Sequence, residues 1–176
     1  MGAYYTYLIS SLPALNFNSP APFGPEDFIA KCRGLVPEEK LEVLRDICRQ
    51  ETFSLSQGSP QVLGRWYGFE TILRNELVRA RSGRKKTDPS KFIRPPDDFD
   101  AQISHVSMAA YRSSSILEAE RILDQARWDF MDSLSLGHYF DFDFIVIYIL
   151  KLKILERWDK IRGADKEALF ERTVGS

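Results

Sequence analysis

The sequence predicts an all-α protein made of helical hairpins or a small helical bundle. Apolar residues recur every three or four positions within four stretches of the chain, and this spacing is typical of one buried face of an α-helix. The stretches are Leu41–Cys48, Trp66–Ala80, Ile116–Leu134 and Ile145–Ile161. The 176 residues are 44% hydrophobic and 28% charged, which is ordinary for a globular protein that needs no disulfide or metal to stabilise its core.

The N-terminal segment is predicted to be an extended arm. Tyr4–Leu12 is rich in aromatic and β-branched residues and is predicted to be a short strand or a buried extended segment. Four prolines then follow between Pro13 and Pro25, so this stretch is expected to be an ordered loop rather than a helix. Phe17 and Phe23 within the loop are expected to pin it to the rest of the protein.

Two short helices are predicted after the arm. Proline at the first position and acids in the first turn favour a helix start at Pro25, and Gly34 is expected to end this helix. The same start signal recurs at Pro37 and precedes the Leu41–Cys48 stripe. The short connection predicts a tight helical hairpin.

A longer helix is predicted from Gly64 to Gly83, after a polar loop at Ser54–Pro60. Its apolar stripe begins at Trp66 and continues to Ala80. The segment after Gly83 carries Arg84, Lys85 and Lys86 and is expected to be an exposed loop that closes at Pro95-Pro96.

The C-terminal part is predicted to contain further helices. Ser115 to Glu118 form a capping box at the start of one helix, and Gly137 is expected to follow its end. Asp141 or Asp143 is expected to cap the next helix, which carries the Ile145–Ile161 stripe. A last short helix is predicted through Ala168 and Phe170.

These elements predict a single helical domain over residues 1–176. It divides into the arm at 1–24, a first helical unit at 25–82, a basic and proline-rich loop at 83–96, and a second helical unit at 97–176. The longest uncharged apolar run, Phe144–Leu150, is far shorter than the roughly 20 residues that span a bilayer. No direct membrane insertion is therefore expected.

Charge is unevenly distributed along the chain. Residues 61–94 contain 9 basic and 3 acidic side chains, a net charge of +6, whereas the whole chain has a net charge of −1. This basic block is expected to face an acidic partner or the protein's own acidic parts. The predicted partner-binding residues are Arg79, Arg81, Arg84, Lys85 and Lys86. No nucleic-acid partner is expected, because the basic segment from 74 to 94 contains only one aromatic residue, Phe92.

No catalytic constellation is predicted, so the protein is expected not to be an enzyme. The sequence lacks GxxxxGK[ST], GxGxxG and GxSxG motifs. His105 and His138 are far apart and are predicted to be structural rather than metal ligands. Asp141 and Asp143 beside His138 are a carboxylate pair that acid–base catalysis can use, but helix capping is the favoured interpretation. No cofactor and no metal are expected, and Cys32 and Cys48 are expected to be reduced thiols.

Glu70, Arg74 and Asn75 lie beside the apolar stripe of the long helix. A charge close to a helix core is costly unless it is paired. These three residues are therefore predicted to form a structural polar network.

Two stretches of the sequence resemble an uncharacterised bacterial family that is typically encoded beside the genes of a V-type ATPase. The first is Tyr4–Pro13, and the second runs from Ser133 through Asp141 and continues over Lys151–Trp158. The family is in turn distantly similar to the C subunit of archaeal and bacterial V/A-type ATPases, the counterpart of the eukaryotic d subunit. That similarity lies in a helix pattern with an aromatic stripe, a Glu, an Asn or Arg, and a basic end, which Phe69–Arg81 and Tyr148–Ile161 fit.

The resemblance implies a fold, a function and partners. The C subunit of these ATPases is an all-helical funnel of three related units, and this chain is long enough for one or two of them. The implied function is a non-catalytic subunit of a V-type ATPase or ATP synthase that couples the central rotor shaft to the membrane proteolipid ring during proton or sodium transport. The implied partners are the shaft subunits and the ring, and the implied location is cytoplasmic, peripheral to the inner membrane. The alternative is a small helical protein-interaction adaptor, with nucleic acid as a candidate partner of its basic loop.

Overall fold

The computed structural model describes residues 5–49 and 59–174, with side chains as far as Ala164. All regular structure in these two ranges is helical, which confirms the predicted all-α class. The helices are α1 (Thr6–Ser10), α2 (Pro25–Cys32), α3 (Glu38–Arg49), α4 (Gln61–Lys85), α5 (Ala101–Arg112), α6 (Ile116–Leu134) and α7 (Phe142–Val174), and a 3-10 turn spans Pro89–Lys91. Within the described residues, no helix combines the length and the apolar character that crossing a bilayer requires.

The chain folds as two compact units. Unit 1 combines residues 1–56 with 135–176, and unit 2 is the continuous segment 57–134. These boundaries differ from the predicted units at 25–82 and 97–176. The difference arises because α4 packs against α5 and α5 against α6, whereas α7 packs against α2 and α3 from the other end of the chain.

The core of unit 1 is built around the first half of α7. Ile145, Ile149, Leu152 and Leu155 are fully buried there. Residues 145–150 are buried on every side of the helix, so this segment lacks a polar face. A helix that is apolar all round is typical of a core position, and this explains why the run also resembles a strand.

The proline-rich arm lies against α7, as Phe17 and Phe23 predict. Phe17 is buried and makes an edge contact with Trp158, with ring centroids 6.5 Å apart. The Tyr148 hydroxyl donates to the Pro13 carbonyl oxygen at 2.9 Å, and the Ala21 amide donates to Asp159 Oδ2 at 2.9 Å. The proline-rich stretch of the arm is thus bonded to α7 near both of its ends.

The prediction of an extended segment at Tyr4–Leu12 is wrong for the described residues, because 6–10 form α1. The buried side chains are Tyr5, Leu8 and Ile9. Their spacing of three and four residues is helical, and it places all three on one side of a single turn. Aromatic and β-branched composition favours a strand, but the burial pattern of the folded chain favours the helix.

Several predicted helix limits are confirmed. The Gly24 amide donates to Asp27 Oδ2 at 3.4 Å before α2, and Gly34 has a φ of +76° just after it. At the start of α6 the Glu118 amide donates to Ser115 Oγ at 3.0 Å. The predicted loop at 54–60 lies mostly outside the described residues.

Two predicted helix ends are wrong. α4 continues past Gly83 to Lys85 and ends where Lys86 adopts the left-handed conformation, with a φ of 51°. The separate helix expected through Ala168 and Phe170 is the continuation of α7. In both cases glycine is tolerated inside a helix at a cost of only about 1 kcal/mol, so Gly83 and Gly163 do not stop it.

Candidate interaction surface and polar clusters

The last turns of α4 present a cluster of exposed cations in unit 2. We call Arg81, Arg84, Lys85 and Lys86 the basic end of α4, and all four residues are exposed. The helix macrodipole places partial negative charge at a C-terminus, so cations are locally favourable there. The helix C-terminus thus explains why cations are favourable at this place. Their exposed side chains remain accessible to solvent and to a partner.

Arg79 belongs to a different environment from the other predicted partner-binding residues. Its guanidinium donates to Glu76 Oε1 at 2.6 Å and also to Asp97. The hydrogen bond to Asp97, together with the charges of Glu76 and Asp97, outweighs desolvation and raises the pKa of Arg79 above its ordinary value. Arg79 therefore ties α4 to the segment before α5 and does not belong to the candidate surface.

Asn75 clamps the loop that follows the basic end. Its side chain is completely buried, and its amide donates to the Arg94 carbonyl oxygen at 2.8 Å and accepts from the Arg94 amide at 3.0 Å. Arg74 supports the same loop by donating to the Phe92 carbonyl oxygen at 2.9 Å. Arg74 and Asn75 thus both bind the backbone of the loop.

Glu70 does not take part in this contact with the loop and instead forms an ion pair with another helix of unit 2. Arg127 on α6 donates to Glu70 Oε1 at 2.7 Å and to Glu70 Oε2 at 3.3 Å, and it also donates to Asp124 Oδ1 at 2.9 Å. Burial alone would lower the pKa of Arg127, but the two carboxylates raise it above its ordinary value. The predicted network of Glu70, Arg74 and Asn75 is therefore two separate clusters.

We call Arg127, Glu70 and Asp124 the Arg127 cluster, and this cluster also affects the pKa of Tyr67. Burial, with a further contribution from the negative charge of Glu70, raises the pKa of Tyr67 to about 12. A tyrosine held neutral in this way is not a nucleophile at neutral pH. The cluster therefore has the character of a structural network that joins α4 to α6.

In unit 1, His138, Asp141 and Asp143 lie together at the start of α7. Asp141 Oδ1 accepts from the Phe144 amide at 3.0 Å, which confirms the predicted N-cap. Asp141 Oδ2 is 2.6 Å from His138 Nδ1, and Asp143 Oδ2 is 3.8 Å from the same nitrogen. Asp143 Oδ1 is buried and has no hydrogen-bond partner among the residues that the structure describes. One potential ligand atom from each of the three residues lies within 4.8 Å of the others.

The sequence contains a signal for this cluster in the spacing His-x-x-Asp-x-Asp. The prediction that His138 is structural rests on its distance from His105 in the sequence and on the lack of an adjacent ligand pattern of His, Cys or Glu. The turn that ends at Gly137, with a φ of +88°, folds the imidazole back toward the first turn of α7. His105, in contrast, is exposed on α5.

Neither cysteine has the surroundings of a reactive thiol. Cys32 is buried, and burial raises its pKa to about 12. Burial and the nearby charge of Glu26 raise the pKa of Cys48 to about 11. A thiol with so high a pKa is rarely ionised at neutral pH, so neither cysteine is a candidate nucleophile.

Residues 96–176 match the model of a family described as a protein of unknown function, DUF2764. The matched region contains α5, α6 and α7, and with them Asp124, Arg127 and the His138 cluster. No curated protein and no solved structure matches the chain.

Proposed function

We propose that this protein is a non-catalytic subunit of a V-type ATPase that couples the central rotor shaft to the membrane proteolipid ring on the cytoplasmic side of the membrane. The resemblance of residues 4–13 and 133–158 to a family encoded beside the genes of a V-type ATPase directs the proposal to this partner. The family match at 96–176 covers the second of these stretches but carries no function of its own.

The observation that supports a binding role is the basic end of α4. Four exposed cations lie within six residues, and they are separate from Arg79, whose charge is neutralised by Glu76 and Asp97. Charges of this kind steer association with an acidic surface and are screened by salt, since the Debye length is about 8 Å at physiological ionic strength. The expected partner surface is therefore acidic.

The test reverses three of these charges in the full-length chain. Arg84→Glu, Lys85→Glu and Lys86→Glu together should slow capture of the shaft or ring subunits, most strongly at low salt, and should leave the fold intact. Lys86 keeps a Cβ in either form, so its left-handed conformation is equally strained in both proteins. The measurement is the association rate with purified ATPase subunits at two salt concentrations.

A matched control variant changes the net charge by the same amount elsewhere. Arg33→Glu, Arg65→Glu and Arg112→Glu replace exposed arginines on other parts of the chain. If the variant of the basic end associates as fast as the wild type at low salt, or is slowed no more than the control variant, the basic end of α4 has no specific role in coupling. If the wild type binds none of the ATPase subunits, the proposal is wrong and the adaptor function takes its place.

The alternative is a helical adaptor that binds its partner through the basic and proline-rich loop at 83–96. Phe92, beside Lys91 in the sequence, is 57% exposed, and an exposed aromatic next to cations is a feature of surfaces that bind single-stranded nucleic acid. Affinity purification from native membranes distinguishes the two functions, because only the first predicts rotary ATPase subunits among the retained proteins.

A further inference from the structure

We propose that His138, Asp141 and Asp143 form a binding site for one divalent transition-metal ion, with Zn²⁺ as the best-suited probe. The three side chains come from the turn before α7 and from its first residues. They supply one imidazole nitrogen and two carboxylate oxygens. This inference is independent of the proposed ATPase function.

The donor set suits zinc. Zn²⁺ is bound in proteins by histidine nitrogen and carboxylate oxygen, and three protein ligands leave a fourth position for water or for a group from a partner. Magnesium and calcium prefer sites made only of oxygen, so the imidazole favours a transition metal over them.

The three donor atoms lie within 4.8 Å of one another, and the most distant of them must draw together to accept the ion. Zinc–ligand bonds of about 2.0–2.2 Å place neighbouring donors in a tetrahedral site roughly 3.3–3.6 Å apart. His138 Nδ1 and Asp143 Oδ2 are 3.8 Å apart, which is close to that separation. The 2.6 Å contact between His138 Nδ1 and Asp141 Oδ2 would lengthen by about 1 Å or less as the metal replaces the shared proton.

The capping role of Asp141 is compatible with metal binding. Oδ1 accepts from the Phe144 amide, so Oδ2 is the oxygen available to the ion. Helix α7 contributes a partial positive charge of about half a unit at its N-terminus, which opposes a cation. The two carboxylates together carry more negative charge than the helix terminus carries positive charge, so the site retains net attraction for a divalent ion.

Asp143 provides the observation that capping leaves unexplained. Asp141 already caps the helix, whereas Asp143 Oδ1 is buried without a hydrogen-bond partner in the described part of the chain. A buried acceptor without a donor is destabilising. A metal ion bound through Oδ2, the oxygen 3.8 Å from His138 Nδ1, would add positive charge next to the same carboxylate and so offset part of that cost.

The test is a titration of the full-length, tag-free protein with Zn²⁺ after chelator treatment and dialysis. We expect one equivalent to bind, with a rise in Tm. Asp143→Asn and Asp141→Asn should each weaken binding at least about tenfold, and His138→Ala should do the same. Asparagine caps helices as well as aspartate does, so the asparagine variants should remain folded, which circular dichroism will check. His105→Ala is the control and should bind as the wild type does.

Cobalt provides a second readout that reports on the ligands themselves. Co²⁺ bound at this site should give a visible absorption band that is lost in Asp143→Asn. If the wild-type protein takes up no stoichiometric Zn²⁺, the three residues are only a helix cap and the proposal is overturned. Equal binding by wild type and Asp143→Asn would also overturn it, since the ion would then lie elsewhere.

Discussion

Arg127 pairs with two carboxylates inside unit 2. It contacts Glu70 at 2.7 Å and Asp124 at 2.9 Å, and Asp124 is completely buried. Replacing a buried ion pair by apolar residues is often neutral, but removal of only one of the two partners is strongly destabilising.

Arg127→Ala should therefore lower the free energy of unfolding by about 3–5 kcal/mol. The measurement is urea unfolding followed by circular dichroism. Arg112→Ala removes an exposed cation from the neighbouring helix α5 and should change the free energy by less than about 0.5 kcal/mol. Equal effects of the two substitutions would show that the Arg127 cluster contributes nothing specific to stability.

At the scale of elements, the proline-rich arm depends on Asp159. Burial alone would raise the pKa of this carboxyl, but hydrogen bonds from Arg162 and the Ala21 amide, and the charge of Arg162, lower it below the ordinary value of 3.8. The ionised carboxylate thus stabilises the fold above about pH 4. This stabilisation should decrease as the pH falls from 3.8 through the lower pKa of the folded state.

Asp159→Asn should remove this acid dependence. At pH 7 the variant should show weaker attachment of the arm, measured as faster hydrogen exchange at the Ala21 amide. Its free energy of unfolding should fall less than that of the wild type between about pH 5 and pH 3. If the two proteins lose stability in parallel over this range, Asp159 does not control the arm. Asp27→Asn is a suitable control, because the hydrogen bond that Asp27 accepts from the Gly24 amide is long, at 3.4 Å.

Local signals predict the elements whose ends are fixed by local contacts. Ser115 caps α6 and Asp141 caps α7, and in each case the acceptor lies three residues from the amide that it binds. The prediction fails at α1, where burial rather than composition decides the conformation. It also fails at the end of α4, because Lys86 and not Gly83 adopts the left-handed conformation.

The polar clusters are only partly predictable for a related reason. Glu70 and Arg74 are four residues apart in the favourable order, which predicts a pair on one helix. The partner found in the structure is Arg127, 57 residues away. Such pairing depends on how α4 packs against α6, and no local pattern in the sequence contains that information.

At the scale of the whole molecule, the two units differ in how the chain builds them. Unit 1 needs residues from both ends, since α7 packs against α2 and α3. Unit 2 is a continuous segment, residues 57–134. Phe69 on α4 stacks on Phe130 of α6 with ring centroids 4.3 Å apart, and Glu70 pairs with Arg127 one residue further along α4.

A fragment of residues 57–134 should therefore fold alone. It should show a helical circular dichroism spectrum and a cooperative thermal transition, although a segment of this size is expected to be stable by only about 3–5 kcal/mol. A shorter fragment, 57–112, lacks α6 and with it the Phe69–Phe130 stack and the Glu70–Arg127 pair, so its transition should be broad.

A chain truncated after residue 134 should keep the unit 2 transition and lose the one from unit 1, because α2 and α3 no longer have α7 to pack against. If the 57–134 fragment is unfolded, the contacts within unit 2 are insufficient and its stability depends on the rest of the chain.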